Sequence, residues 1–141
     1  MDEKEYLSFE IEEQKYALGI DRVREIINSG NDIIPVAGAD KSTLGIIHLR
    51  DEVIPVLDLR ERFGLSPFKE RPTVILVEYE DGAIGFAADR VSSVESASPD
   101  LIRKAPAIIN PKGYIAGVAK CCGQIVFILD PDALREDFKV N

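Results

Sequence analysis

The sequence predicts an all-β protein with short helices, built as two similar subdomains, and three observations carry that prediction. Residues 45 to 58, GIIHLRDEVIPVLD, align without a gap on residues 117 to 130, GVAKCCGQIVFILD, with Gly first and Leu-Asp last in both. Upstream, YLSFEIEEQKYALGIDRV (Tyr6 to Val23) lies over VILVEYEDGAIGFAADRV (Val74 to Val91), sharing Glu10 with Glu78, Glu12 with Glu80 and an Asp-Arg-Val triplet. Short runs rich in Val, Ile, Leu and Tyr also recur between turn residues, as in barrels and sandwiches. A period of about 70 residues is too long for a solenoid repeat, so two small β-rich subdomains packed into one protein are expected.

The elements follow in chain order. Tyr6 to Ile11 and Lys15 to Ile20 flank Glu12-Glu13-Gln14 as a hairpin. A helical turn is expected over Arg22 to Asn28 and a short strand over Ile33 to Val36. Leu44 to Leu49 and Val53 to Leu57 flank Arg50-Asp51-Glu52 as a second hairpin, followed by a helical turn at Leu59 to Phe63. The second copy repeats the plan with Thr73 to Tyr79 and Ala83 to Ala88 around Glu80-Asp81-Gly82, then a short strand at Val91 to Ser96. Tyr114 to Lys120 and Ile125 to Leu129 flank Cys122-Gly123-Gln124. A last helix spans Pro131 to Phe138, its Pro-Asp start suited to a first turn.

At 141 residues and 45% hydrophobic, the chain has the size of one ordinary domain and can bury a core without staples. Seventeen Lys and Arg against 25 Asp and Glu give a net charge of -8, which repels phosphate backbones. With 7% aromatics and no Trp, the stacking surface of a single-strand nucleic-acid binder is also lacking. The N-terminus, MDEKEYLSF, has neither a basic nor an apolar leader region, and no run of eighteen apolar residues occurs. A cytoplasmic protein with no direct membrane insertion is expected.

Chemistry-bearing residues are sparse. Cys121 and Cys122 are adjacent, which is neither a disulfide framework nor a zinc spacing. His48 is the sole histidine and has Lys120 as its counterpart in the second copy. A Cys-His pair would still need an oxyanion site and the rest of a nucleophilic apparatus. Asp58 and Asp130 are equivalent, follow strands and precede a helical turn or proline, the setting of helix caps. No ligand cluster points to a metal, and no glycine-rich loop precedes a helix to cradle phosphate. The expectation is no catalytic site, no cofactor and no metal.

The duplication singles out one turn. Asp51 and Gly123 occupy the same position, and both residue types tolerate positive φ, so the position requires a tight-turn backbone. Arg50 precedes it in the first copy, where the second has Cys122. An arginine at a hairpin tip is not core. It is either a solvated loop charge, the fate of most arginines, or an anchor whose planar fork holds a partner's carboxylate or carbonyls.

GIIHLRDEVIPVLDLRERFGL, Gly45 to Leu65, resembles the signature of the CheW family, the chemotaxis coupling proteins. Phe9, YALGIDRVREI from Tyr16 to Ile26, Ile34-Pro35, Gly85, Ala88-Asp89-Arg90-Val91 and Tyr114 to Val118 fall in that family's order and spacing. The resemblance covers Tyr6 to Leu134, with His48 where the family has Asn and Asp51 where it has Gly. It implies two five-stranded β-barrels of SH3-like or OB-like type, about 1–68 and 69–141, with exchange of strands between them allowed. It also implies a free-standing, non-catalytic adaptor between the cytoplasmic tip of a chemoreceptor (a methyl-accepting chemotaxis protein) and the regulatory domain of a CheA-type histidine kinase, in a membrane-anchored receptor array.

By motif position, the receptor-binding residues implied are Arg50, Val23, Glu25, Gly45, Gly85 and Val91, lining a groove between the barrels. A receptor tip is a helical hairpin, for which apolar walls, close-approach glycines and an orienting arginine are suitable. The valines also fit ordinary core, and the glycines a strand kink or bulge. Since fold does not fix function, a ligand-binding or enzymatic double barrel on the same fold is the alternative.

Overall fold

The computed structural model describes residues 3–28, 33–66, 72–121 and 123–138. Among these residues ten strands form two five-stranded sheets. In chain order they are β1 (Lys4–Ile11), β2 (Gln14–Gly19), β3 (Val23–Ile27), β4 (Thr43–Leu49), β5 (Glu52–Asp58), β6 (Thr73–Tyr79), β7 (Gly82–Ala88), β8 (Arg90–Ala97), β9 (Ile115–Cys121) and β10 (Gln124–Leu129). Two α-helices follow hairpins, α1 (Leu59–Arg62) after β5 and α2 (Pro131–Phe138) after β10.

The sheet orders are β8-β1-β2-β10-β9 and β3-β6-β7-β5-β4. They are the same arrangement once each strand is replaced by its repeat equivalent. The registers agree too. Tyr6 pairs with Gly19 as its equivalent Val74 pairs with Ala87. Ile46 pairs with Pro55 as Val118 pairs with Phe127. In both sheets the last hairpin joins the first by a parallel pairing, β10 to β2 and β5 to β7.

The chain divides into two compact units, one of Met1–Asp21 with Ser92–Asn141 and one of Arg22–Val91. Each sheet takes two strands from one half of the sequence and three from the other, so the units do not follow the halves. Neither contiguous half holds all the strands of either sheet.

In one respect the sheets differ from the barrels expected. Among the described residues no ladder joins β8 to β9 or β3 to β4, so each sheet stays open. The outer edges of β4 and β9 are instead met by isolated bridges, Ile34 to Ile46 and Arg103 to Val118. Two equivalent backbone bonds pin the hairpin ends, Asp58 N to Ser42 O and Asp130 N to Tyr114 O, each 2.7 Å.

Two sequence expectations need correcting. Val23–Ile27 is strand β3, preceded by a single 3-10 turn at Ile20–Arg22, not a helical turn. Val23, Ile26 and Ile27 have helical spacing, but a sheet partner in β6 overrides it. The equivalence of Val23 with Val91, already read as starting a strand, carried the right signal. The segment from Ile33 to Val36 contributes the isolated bridge at Ile34 rather than a full strand.

The core of the second unit gathers Ile47, Ile54, Val56, Val74, Leu76, Ala83 and Ala87. Four successive residues of β6, Val74 to Val77, are fully buried, so this strand is covered on both faces. In the first unit Phe9, Tyr16 and Phe127 stand in register across β1, β2 and β10, with ring centroids 6.0 Å apart in both pairs. Burial raises the pKa of the Tyr16 phenol.

Candidate functional site

All six residues singled out from the sequence lie in the second unit. The β4–β5 hairpin closes through a two-residue turn, Arg50 (φ 47°) and Asp51 (φ 68°). Gly123 (φ 81°) has the same left-handed backbone, as the repeat required. Glu12 and Glu13 adopt it as well, at φ 52° and 66°. The conformation therefore belongs to the tight hairpin turn, and Arg50 is presented by it with its side chain 68% exposed.

On β3 the pairing with β6 slips between Val23 and Glu25, leaving Arg24 as the extra residue of a bulge. Bulges re-aim side chains. Arg24 and Glu25 both reach the β4–β5 hairpin. The Arg50 guanidinium donates to Glu25 Oε1. Arg24 donates to Glu52 Oε1 at 2.7 Å and grips both carboxylate oxygens of Glu78 at 2.8 Å. β3 is one edge of this sheet, and these charged side chains tie it to the tip of the hairpin at the other edge.

The network has an electrostatic signature. The hydrogen bonds from Arg24 hold the carboxyls of Glu52 and Glu78 below the usual carboxylate range, and the two carboxylates raise Arg24 in turn. The Ala83 amide adds a 3.3 Å bond to Glu52 Oε2. Sequence reading singled out Glu25 and Arg50 but not their partnership. It missed Arg24, whose role depends on a bulge that no local pattern announces.

The remaining candidates are placed differently. Gly45 is buried at φ 152°, and a Cβ there would stand 2.3 Å from the Ile34 carbonyl oxygen. A Cβ on Gly85 would meet Val74 Cγ1 at 2.7 Å, within the core. The close approaches these glycines permit are thus made by the chain itself. Its repeat partner Gly117 does the same under Ile102 and Arg103. Val23 is half-buried opposite Val77, and Val91 is half-buried near the start of β8.

Two further features frame the site. Asp58 caps α1, accepting from Arg60 N at 2.9 Å, and Asp130 caps α2, accepting from Asp132 N at 3.0 Å and Ala133 N at 3.3 Å. Burial raises the pKa of Asp58 against the opposing pull of its backbone bonds. Arg60 clamps both oxygens of Asp89 at 2.9 and 2.7 Å, tying α1 to the link between β7 and β8. His48 is exposed on β4, opposite Val53. Among the described residues no three His, Cys, Asp or Glu side chains gather as metal ligands, and no helix is long and apolar enough to cross a membrane.

Two exchanged five-stranded sheets of one repeated plan, with an exposed arginine on a charged hairpin tip, define a duplicated β-rich protein. The chain belongs to the family of the CheW-like domain, which it matches over residues 5–138. It is 31% identical over 143 residues to the chemotaxis protein CheW of Thermotoga maritima, covering 100% of this chain and 93% of that one. It is 29% identical over 132 residues to CheW of Treponema pallidum, covering 88% and 77%. Among solved structures, the scaffolding protein TtCheW from Thermoanaerobacter tengcongensis superposes with a TM-score of 0.83 at 26% identity, over 93% of this chain and 86% of that one.

Proposed function

We propose that this protein is a non-catalytic adaptor that couples the cytoplasmic tips of chemoreceptors to the regulatory domain of a CheA-type histidine kinase. The observation that carries the reading is the family match across residues 5–138, joined by relatives named as chemotaxis and scaffolding proteins. The protein works in the cytoplasm at membrane-anchored receptor arrays.

Arg50 is the anchor for the receptor tip. Its exposed guanidinium, raised on a tight turn, can trade Glu25 for a carboxylate or carbonyls at the end of a helical hairpin. Val23 and Val91 supply apolar contact, and Glu25 orients the arginine until the partner arrives. Gly45 and Gly85 serve this surface by letting β4 and β7 pack tightly under it.

A pull-down with a receptor cytoplasmic fragment and a kinase regulatory domain from the same genome tests the proposal. Capture of both supports it; capture of neither by a folded protein contradicts it.

A further inference from the structure

The two units are filled differently. In the second unit Leu76, Ile47 and Ile27 pack into the core cluster. Their repeat equivalents in the first unit are Ser8, Ala119 and Glu95. Two large apolar side chains have become small and a third has become a carboxylate. Where they stood, the first unit holds a pocket of about 120 Å³ lined by these three residues together with Tyr6, Leu101 and Ile128 among others.

We infer that this pocket is a binding site for a small molecule with a ring-sized apolar body and one hydroxyl group. Size guides the first inference: an apolar cavity of about 150 Å³ accepts benzene, so a single ring or branched alkyl group fills this pocket, which opens to solvent beside the exposed Leu101. The walls are Tyr6, Leu101 and Ile128, with Ala17, Ala119 and Val126 packed beside them.

The polar end guides the second. Ser8 is buried at 1% exposure, and its Oγ lies 3.0 Å from both Ser93 O and Glu95 Oε2. Those neighbours are acceptors, and among the described residues the donor near the Ser8 lone pairs is the Ser93 hydroxyl at 3.4 Å. A ligand hydroxyl can donate to those lone pairs.

The volume left unfilled beside Ser8 and Ala119 forfeits packing. A bound molecule restores it. This site is separate from the receptor-binding surface proposed above, whose residues all lie in the other unit, and the two readings stand or fall independently.

Phenol is the probe, titrated into the isotopically labelled full chain and followed by NMR, with benzene as the arm lacking a hydroxyl. Saturable shifts at Ala17, Ala119, Val126 and Ile128 are expected, with nuclear Overhauser contacts from the ring to their methyls and weaker binding of benzene. The filled variant Ser8→Leu with Ala119→Ile should lose the response. If that variant does not fold, the ring-to-methyl contacts in the unmodified protein decide. Absence of saturable shifts, shifts confined to other residues, or benzene binding as well as phenol would overturn the inference.

Discussion

Arg50, at the tip of the β4–β5 hairpin, and Glu25, on the edge strand β3 of the same sheet, form an ion pair where no backbone ladder joins β3 to that hairpin. The strand exchange that interleaves the two halves of the sequence places them there. Their pairing makes the proposed anchor a held group rather than a freely sweeping one, at an exposure where the pair itself contributes little stability.

Replacing Arg50 separates function from fold. Arg50→Ala should cost about 2 kcal/mol of receptor-tip affinity and shift thermal stability by less than about 1 kcal/mol, since exposed pairs contribute no more. Arg50→Lys should recover part of the affinity, because an ammonium lacks the fork. Calorimetric titration with a receptor-tip fragment measures the first quantity and thermal unfolding the second.

Asp51→Gly tests what the neighbouring carboxylate does. Arg50 takes Glu25 as its partner, and Asp51 holds a positive-φ turn position that glycine occupies in the second copy. Receptor affinity should therefore remain unchanged in this variant, with stability within about 0.5 kcal/mol of the parent. Glu25→Gln, by contrast, should alter affinity, since it releases the guanidinium. Equal responses of the two variants would contradict the assigned partnership.

Gly45→Ala and Gly85→Ala should damage the fold. At Gly45 the new Cβ falls on the Ile34 carbonyl and breaks the bridge to Ile46, a clash expected to cost about 2–4 kcal/mol. At Gly85 it overpacks the core against Val74, at about 1–3 kcal/mol. Chemical denaturation resolves both. A fully stable Gly45→Ala protein that fails only to bind would mean that this glycine faces the partner directly.

The acid limb of stability should depend on Arg24. Glu52 and Glu78 have folded pKa values below the ordinary 4.5, so their contribution is present above that pH and lost as pH falls through the folded values. Arg24→Gln should flatten this loss below pH 4.5. Asp58 acts with opposite sign: its pKa is raised above 3.8, so its buried charge opposes folding at neutral pH and is relieved as pH falls through the raised value. Asp58→Asn keeps a capping side chain and removes that charge, and should raise stability at neutral pH more than at pH 3.

The duplication was legible because it is written in paired positions: the two aligned hairpins, the Asp-Arg-Val triplets and the turn residues Asp51 and Gly123. Nine of the ten strands were readable from short apolar runs closed by turns. β3 was not, since Val23, Ile26 and Ile27 mimic a helical face and only their place beside β6 makes them a strand. Two more features escaped because they are pairings over distance. Arg24 reaches Glu52 and Glu78 through a bulge, and the tight packing at Gly45 arises from Ile34 crossing above it. The exchange of strands could be allowed for but not read, because both connections use the same local patterns.

Co-sedimentation with receptor-bearing vesicles tests the central proposal most directly. A CheA-type kinase mixed with such vesicles should pellet strongly only when this protein is present, and Arg50→Ala should reduce both the protein and the kinase in the pellet together. Kinase that pellets equally well without the protein, or a protein that stays in the supernatant while folded and intact, would contradict the adaptor reading.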